Sequence, residues 1–400
     1  MNYRISTGMM YQQSINTMLA KQAKLAHTQQ QLSSGQKLVT AKDDPVAAGT
    51  AVGLDRALAE LERFGMNANA VQNRLGLQES ALTSVGDAMA RINELTVQAN
   101  NSALGDDSRL AISTELKAIY AGLLDLANST DGAGRYLFGG TDDGSAPLAI
   151  SGGNVIYSGN QSQRQVEVAP DMFVSDTLPG SEVFMRLRTG DGRVDARAAA
   201  GNTGTGLLMD FSVTNASAWN GGSYRIEFTA ADSYQIYDSN NAVIATGAYE
   251  KGASIAFAGV QMKLDGQPAA GDSFEIGPSG TRDIFATVQN LIAALESNPT
   301  TDAEKTAMQN ALQTSLRDVA TAQGRMIDAR ASGGAQLAAI DTAANLREAN
   351  AITYQDTLST LRDLDWAEAI GRYNLENTAL QAAQTVFMQM QSLSLFKLMG

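Results

Sequence analysis

The chain of 400 residues has no cysteine, one histidine and seven prolines, and each scarcity excludes something. Without cysteine there can be no disulfide, thiolate metal site or cysteine nucleophile. The one histidine, His27, stands in the polar stretch AHTQQQ, where an unpaired surface imidazole is expected. No catalytic triad and no multi-histidine zinc site can be assembled from it. Long apolar runs are lacking too. No stretch approaches the roughly 18 apolar residues of a membrane span, and the opening MNYRISTGMMYQQ has no apolar secretory segment. Neither a membrane partner nor a cleaved signal peptide is expected. A net charge of −13 argues against a nucleic-acid partner, because a phosphate-binding surface needs concentrated Lys and Arg.

Charge is unevenly placed. Residues 1–42 carry Arg4, Lys21, Lys24, Lys37 and Lys42 and no acid, while residues 377–400 carry only Lys397. The prolines fall at 45, 147, 170, 179, 268, 278 and 299, so residues 46–146 and 300–400 are free of the residue that breaks helices. Both blocks read as long helices. In the first, Leu54, Leu61, Ala68, Leu75, Leu82 and Met89 recur every seven residues, with Phe64, Val71, Val85 and Ile92 in the offset register of a coiled-coil seam. A second helix follows the GDD of 105–107 and carries Ile112, Leu116, Ile119, Leu123 and Leu126 on one face. In the last block, Thr301 and Glu304 form a capping-box pattern ahead of Met308, Leu312, Val319 and Met326.

The middle differs. Residues 141–280 hold 12 of the 24 aromatics and 19 of the 37 glycines, in short alternating runs such as YRIEF (224–228), YQIY (234–237) and SIAFAGVQMKL (254–264). That pattern predicts an antiparallel sheet domain of about a dozen short strands. The glycine-rich TGDGR and GNTGTG are linkers or loop tips, since no Lys-Ser/Thr pair and helix follow to make a phosphate loop.

The expected fold is therefore α+β: long terminal helices forming a coiled coil or bundle, with an antiparallel β-rich insertion. Three parts follow: 1–42 with 363–400 as a terminal helical assembly domain, 43–140 with 281–362 as a helical core, and 141–280 as an outer β domain. The break inside QLSSGQKLVTAKDDPVAAG (31–49) reads as a joint. Gly35 can take the left-handed conformation that ends one helix, Asp44 can cap the next, and Pro45 fits its first turn. A metal at Asp43 and Asp44 would lack a third ligand, and no cofactor is expected.

The terminal rods are weakly amphipathic. Tyr11, Met18, Leu25 and Leu32 recur at seven with Ile15 between them, but Gln22 and Gln29 also fall in the seam. At the other end Trp366, Tyr373, Leu380 and Phe387 recur at seven, with Ile370, Ala383 and Met390 between them and Leu393 and Phe396 beyond. Apart from Ile370 and Ala383, these apolar residues are the candidate subunit-assembly set. Polar seams leave the two rods little core of their own, so the ends are expected to be largely disordered in the monomer and to order against neighbouring subunits.

Both ends together carry a resemblance. RISTGMMYQQ (4–13), LSSGQKL (32–38), DDPVAA (43–48), ESALTSV (79–85), TVQANN (96–101) and ANSTDGAGRYLFGG (127–140), with DLDWAEAIGRYNLENTALQAAQ (363–384) and SLSLFKLM (392–399), are similar to the bacterial flagellin superfamily. The DDP triplet and the SLF-type ending favour the branch that joins hook to filament over the filament subunit, flagellin itself, which is the alternative. The resemblance implies a structural protein of the flagellum, not an enzyme. It would be exported without a cleaved signal through the flagellar type III apparatus with an export chaperone. It would form a homo-oligomeric ring between the first hook-associated protein and flagellin, and so be extracellular and needed for motility. Some flagellin relatives carry a zinc-protease insertion, which needs two histidines; residues 141–280 have none.

Overall fold

The computed structural model describes residues 7–101 and 103–396; the side chains of Thr7 and of 391–396 lie outside the described residues. Six α-helices are among them: α1 (Thr7–Ser34), α2 (Pro45–Ala99), α3 (Asp106–Ala127), α4 (Ile284–Leu295), α5 (Asp302–Arg362) and α6 (Trp366–Phe396). The α+β class is the one expected. The chain divides into two compact units, one of residues up to Met66 and from Ala343 onward, the other Asn67–Thr342.

The helical core of the second unit is built by the heptad pattern. Leu82, Val85, Met89 and Ile92 of α2 are buried against Ile112, Leu116 and Leu123 of α3, Phe285, Val288 and Leu291 of α4, and Leu312, Val319 and Met326 of α5. The start of α5 is the expected capping box. Glu304 accepts from the Thr301 and Thr300 amides at 2.9 and 2.7 Å, while the Glu304 amide donates to Thr301 Oγ1 at 3.2 Å. Those donated bonds, Thr301 first, hold the Glu304 carboxyl down to about 2. Helix α4 was not singled out in the sequence; Asp283 caps it, its Oδ1 accepting the Ala286 amide at 2.6 Å.

Between α3 and α4 lie β1 (Leu148–Ser151), β2 (Asn154–Tyr157), β3 (Gln165–Ala169), β4 (Met172–Ser175), a π-helical turn (Ser181–Met185), β5 (Leu187–Arg188), β6 (Val194–Ala198), β7 (Leu207–Val213), β8 (Tyr224–Ala230), β9 (Ser233–Tyr237), β10 (Val243–Ala248), β11 (Ser254–Phe257), β12 (Val260–Asp265), β13 (Ser273–Pro278) and β14 (Thr281–Arg282). All their pairings are antiparallel. A five-stranded sheet runs β10-β9-β8-β13-β6 and a three-stranded one β11-β12-β7; β1–β2, β3–β4 and β5–β14 are separate pairs. Period-two alternation buries Tyr224, Ile226 and Phe228 of β8 with Val260, Met262 and Leu264 of β12 in a core of their own. That second core begins at Val194. The strands before it behave differently from the single β block read in the sequence. Leu148, Val155, Phe184 and Leu187 are buried in the helical core, because helices α2 to α4 leave a flank that these short hairpins cover. Arg74 pins the same region, donating to the Tyr136 carbonyl at 2.8 Å and pairing with Asp131 at 3.1 Å and Asp143 at 3.3 Å.

The two cores share no residue, and α5 links them by polar contacts. Asn310 donates to the Gly206 carbonyl (3.0 Å) and accepts from the Leu208 amide (2.8 Å), Arg317 donates to the Met209 carbonyl (2.8 Å), and Thr321 donates to that of Gly190 (3.0 Å). Asp318, 3% exposed, accepts from the Gly190 amide at 2.9 Å and from Arg282 at 3.0 Å, with Arg197 at 3.7 Å. Burial outweighs these partners and pushes the Asp318 carboxyl up to about 6. A folded value above the unfolded one means that the ionised form costs stability, in full above pH 6 and progressively less as pH falls toward 4. Relative to Asp318→Asn, the parent is expected to gain about 2 kcal/mol of unfolding free energy between pH 7 and pH 4.5. Urea titrations of both proteins at the two pH values check this, and a constant difference would refute it.

Candidate functional site

Within the first unit, helices α1 and α6 lie side by side, and both are interrupted at the same level. Gly35 ends α1 at φ +68°, its amide bonded to the Gln31 carbonyl at 2.9 Å. The next residues pair with the break before α6: Gln36 and Asp363 form an antiparallel bridge, the Lys37 amide donates to the Arg362 carbonyl (2.6 Å), and the Leu364 amide donates to that of Gly35 (3.1 Å). The helix restarts use the same device twice. Asp44 Oδ1 accepts from the Val46 and Ala47 amides at 3.0 Å each, with Pro45 in the first turn, and Asp365 Oδ1 accepts from the Ala367 and Glu368 amides at 2.9 and 3.1 Å.

Side chains brace the joint. Gln31 donates to the Lys37 carbonyl at 2.7 Å, Thr28 donates to Glu376 across the pair at 2.8 Å, and Arg362 grips Asp55 with both terminal nitrogens. Asp43 accepts from the Thr40 amide at 2.8 Å and the Val39 amide at 3.1 Å; the Thr40 bond chiefly holds its carboxyl below the ordinary range. His27 corrects the sequence reading: its Nε2 lies 3.3 Å from Asp43 Oδ1, because the turn at 40–43 folds back toward α1 and brings the acid to the imidazole. Among the described residues no group of three acidic, histidine or cysteine side chains could hold a metal ion.

The expected stripes face each other only in part. Tyr11 and Phe387 have ring centroids 5.1 Å apart at 40°, and Ile15, Met18, Leu25, Leu32, Tyr373 and Met390 are half-buried. Leu380 is buried, while Trp366, 54% exposed, lies over Gly35, its Cζ2 3.6 Å from where a Cβ would stand. The side chains of Leu393 and Phe396 lie outside the described residues. A groove of about 610 Å³ lined by Met10, Met18, Ala383, Val386, Phe387 and Met390 runs between the two helices.

This unit holds less than a third of the chain, yet large exposed apolar side chains concentrate there. Seven lie before residue 67 and seven after 342, against ten elsewhere among the described residues. Among the described residues its buried apolar side chains larger than alanine are four: Leu61, Phe64, Leu364 and Leu380. Apolar area left in water at this density is unfavourable by about 25 cal/mol per Å² and marks an interaction surface. Sequence periodicity found the stripes but missed Met9, Leu19, Leu375 and Met388, which are exposed on other faces.

Gly35→Val should loosen the joint. A Cβ would meet only ordinary contact, so the cost is the left-handed backbone, about 1–2 kcal/mol. Limited proteolysis is expected to release residues before 35 sooner than in the parent, with Gly35→Asn intermediate; unchanged cleavage would refute the role of Gly35.

Comparison with known proteins adds to this geometry. Residues 5–143 match the family described as bacterial flagellin N-terminal helical region, and residues 197–278 match the D2-like domain of flagellar hook-associated protein 1. The chain is 27% identical over 397 residues to flagellar hook-associated protein 3 of Escherichia coli K12, covering 99% of each. It is similar to the crystal structure of FlgL of Xanthomonas campestris at 61% identity and TM-score 0.73, over 76% of this chain and 99% of that one. The flagellar junction protein FlgL of Legionella pneumophila is 28% identical at TM-score 0.71, over 78% and 100%. Four curated flagellar filament proteins or flagellins match over 24–52% of this chain.

Proposed function

The chain belongs to the flagellar hook-associated protein 3 (FlgL) family, and from that premise we propose that it is a structural subunit of the bacterial flagellum that forms the junction between hook and filament. Like subunits would form a ring through their terminal helices, with the first hook-associated protein on one side and flagellin on the other. The observation that carries this reading is the first unit's surplus of exposed apolar side chains on a helix pair with almost no core. Such a pair gains most of its burial from neighbours.

The candidate assembly residues Tyr11, Ile15, Met18, Leu25, Leu32, Trp366, Tyr373, Leu380, Phe387, Met390, Leu393 and Phe396 would act there, the terminal arms ordering fully on assembly. The parts proposed are an assembly domain (1–42 and 363–400), a helical core (43–140 and 281–362) and an outer β domain (141–280), of which β1, β2 and β5, before Val194, pack into the helical core. No catalytic role is assigned. Matches over nearly whole chains favour the junction over a bulk filament subunit. The chain would reach the cell exterior through the flagellar export route with a chaperone and without a cleaved signal, its acid-free amino end being presented first.

Electron microscopy of cells lacking the protein is the direct test. Hooks without filaments, with flagellin lost to the medium and filaments restored by complementation, are expected; normal filaments would overturn the reading. Deleting residues 5–30 is expected to abolish secretion, which immunoblotting of culture supernatants measures.

A further inference from the structure

The segment FMRLRTGDGR, residues 184–193, concentrates arginine in a strongly acidic chain. Strand alternation turns Leu187 into the helical core and leaves Arg186 and Arg188 exposed beside it. Facing them, α5 presents Arg317, Thr321, Arg325 and Asp328 at helical spacing. Between the two lies a cleft of about 750 Å³, bounded also by Gly190, Gly192, Ala320 and Gly324, whose small size leaves it open. That volume falls in the range of ligand sites.

Its guanidinium groups are incompletely used. Arg186 has no hydrogen bond or ion pair among the described residues. Arg188 donates to the Ser279 carbonyl at 3.1 Å. Arg325 donates to the Glu182 carbonyl at 3.1 Å and lies 3.6 Å from that residue's carboxylate. Arg317 is held by the β7 carbonyls, with its Nη1 buried and without a hydrogen-bond partner. Two acids, Asp191 and Asp328, also line the cleft and leave it net positive on a chain of net charge −13.

We propose that this cleft docks an acidic polypeptide segment of a partner protein. Arg186 and Arg188 are two residues apart, about 7 Å along the strand direction, a span that suits alternate carboxylates of an extended chain. Guanidinium groups bind carboxylates through two parallel N–H···O bonds. The two interspersed aspartates repel a compact multivalent anion, whereas they can accept from the backbone amides of a peptide. The inference is independent of the terminal helices and of the junction reading.

The test uses the full chain and a fluorescein-labelled twelve-residue peptide alternating Glu with Gly or Ala, titrated by fluorescence anisotropy at about 50 mM salt, where surface charges are weakly screened. Saturable binding is expected, weakening roughly tenfold or more in the Arg186→Glu, Arg188→Glu double variant with an unshifted melting curve. A Lys-for-Glu version of the peptide should bind the variant better than the parent. Equal peptide binding by parent and variant would overturn the proposal. So would displacement of the peptide by an equal concentration of inorganic phosphate, which would make this a small-anion site. Loss of self-association in the variant by sedimentation, with no peptide binding to the parent, would assign the cleft to a second copy of this chain instead.

Discussion

Phe387→Asp is expected to abolish filament attachment while leaving the melting of the main core and the level of secretion near those of the parent. Phe387 is half-buried against Tyr11 in the groove between α1 and α6, in a unit separate from the helical core and the β core. Losing the burial of a phenylalanine side chain costs about 1.5–3 kcal/mol, and in a ring that loss recurs in every subunit. An unpaired carboxylate in a dry interface adds a desolvation cost larger than the lost burial. In the free chain the same position borders solvent, so the carboxylate stays hydrated and the penalty is small. Phe387→Leu, which keeps apolar volume, should restore filaments. Secreted protein, monomer melting and filament attachment measured together decide the matter: a Phe387→Asp chain that melts early, or still carries filaments, shows that α6 is not an assembly element.

Much of this was legible in the sequence, for a physical reason. A buried helix face repeats, so Leu82, Met89, Leu116 and Leu312 announced the helical core by spacing alone. The caps at Asp44 and Thr301 are local, set by residues within three positions, and they stand where the sequence placed them. What pattern reading missed depends on contacts distant in sequence. The β-bridge of Gln36 with Asp363 joins opposite ends of the chain, and no local signal announces it. The division of the strands is another case. Leu148 and Leu187 alternate as any strand residues do, and only the flank left open by α2, α3 and α4 draws them into the helical core while Val194 and its successors form another. His27 meets Asp43 for the same kind of reason, since sixteen positions separate them and the turn between them sets the distance.

Phe184→Ala should produce the opposite phenotype, a chain that assembles poorly because it melts. Phe184 is fully buried in the π-helical turn after β4, with its ring 5.0 Å from Phe138 at 80° and 6.4 Å from Phe285. Phe285 in turn meets Tyr120 edge-on at 5.8 Å, so one aromatic chain ties α3, α4 and the 128–146 segment together. Removing the ring forfeits its transfer energy and leaves a cavity that four fixed elements cannot close, a loss of about 3–5 kcal/mol. For a unit of this size that lowers the helical melt by roughly 10 °C. Phe184→Leu should cost less than half as much, since most of the volume is kept. The β core offers a second readout. Trp219 packs against it, and in a Trp366→Phe background Trp219 is the remaining tryptophan. Because the two cores share no apolar residue and α5 joins them through Asn310, Arg317, Asp318 and Thr321, the Trp219 transition should move less than the far-ultraviolet helical transition. Equal shifts in both signals would mean that these polar contacts, with the β5–β14 pair, make the cores one cooperative unit, and a helical melt unchanged by the cavity would remove the aromatic chain as the fold's central support.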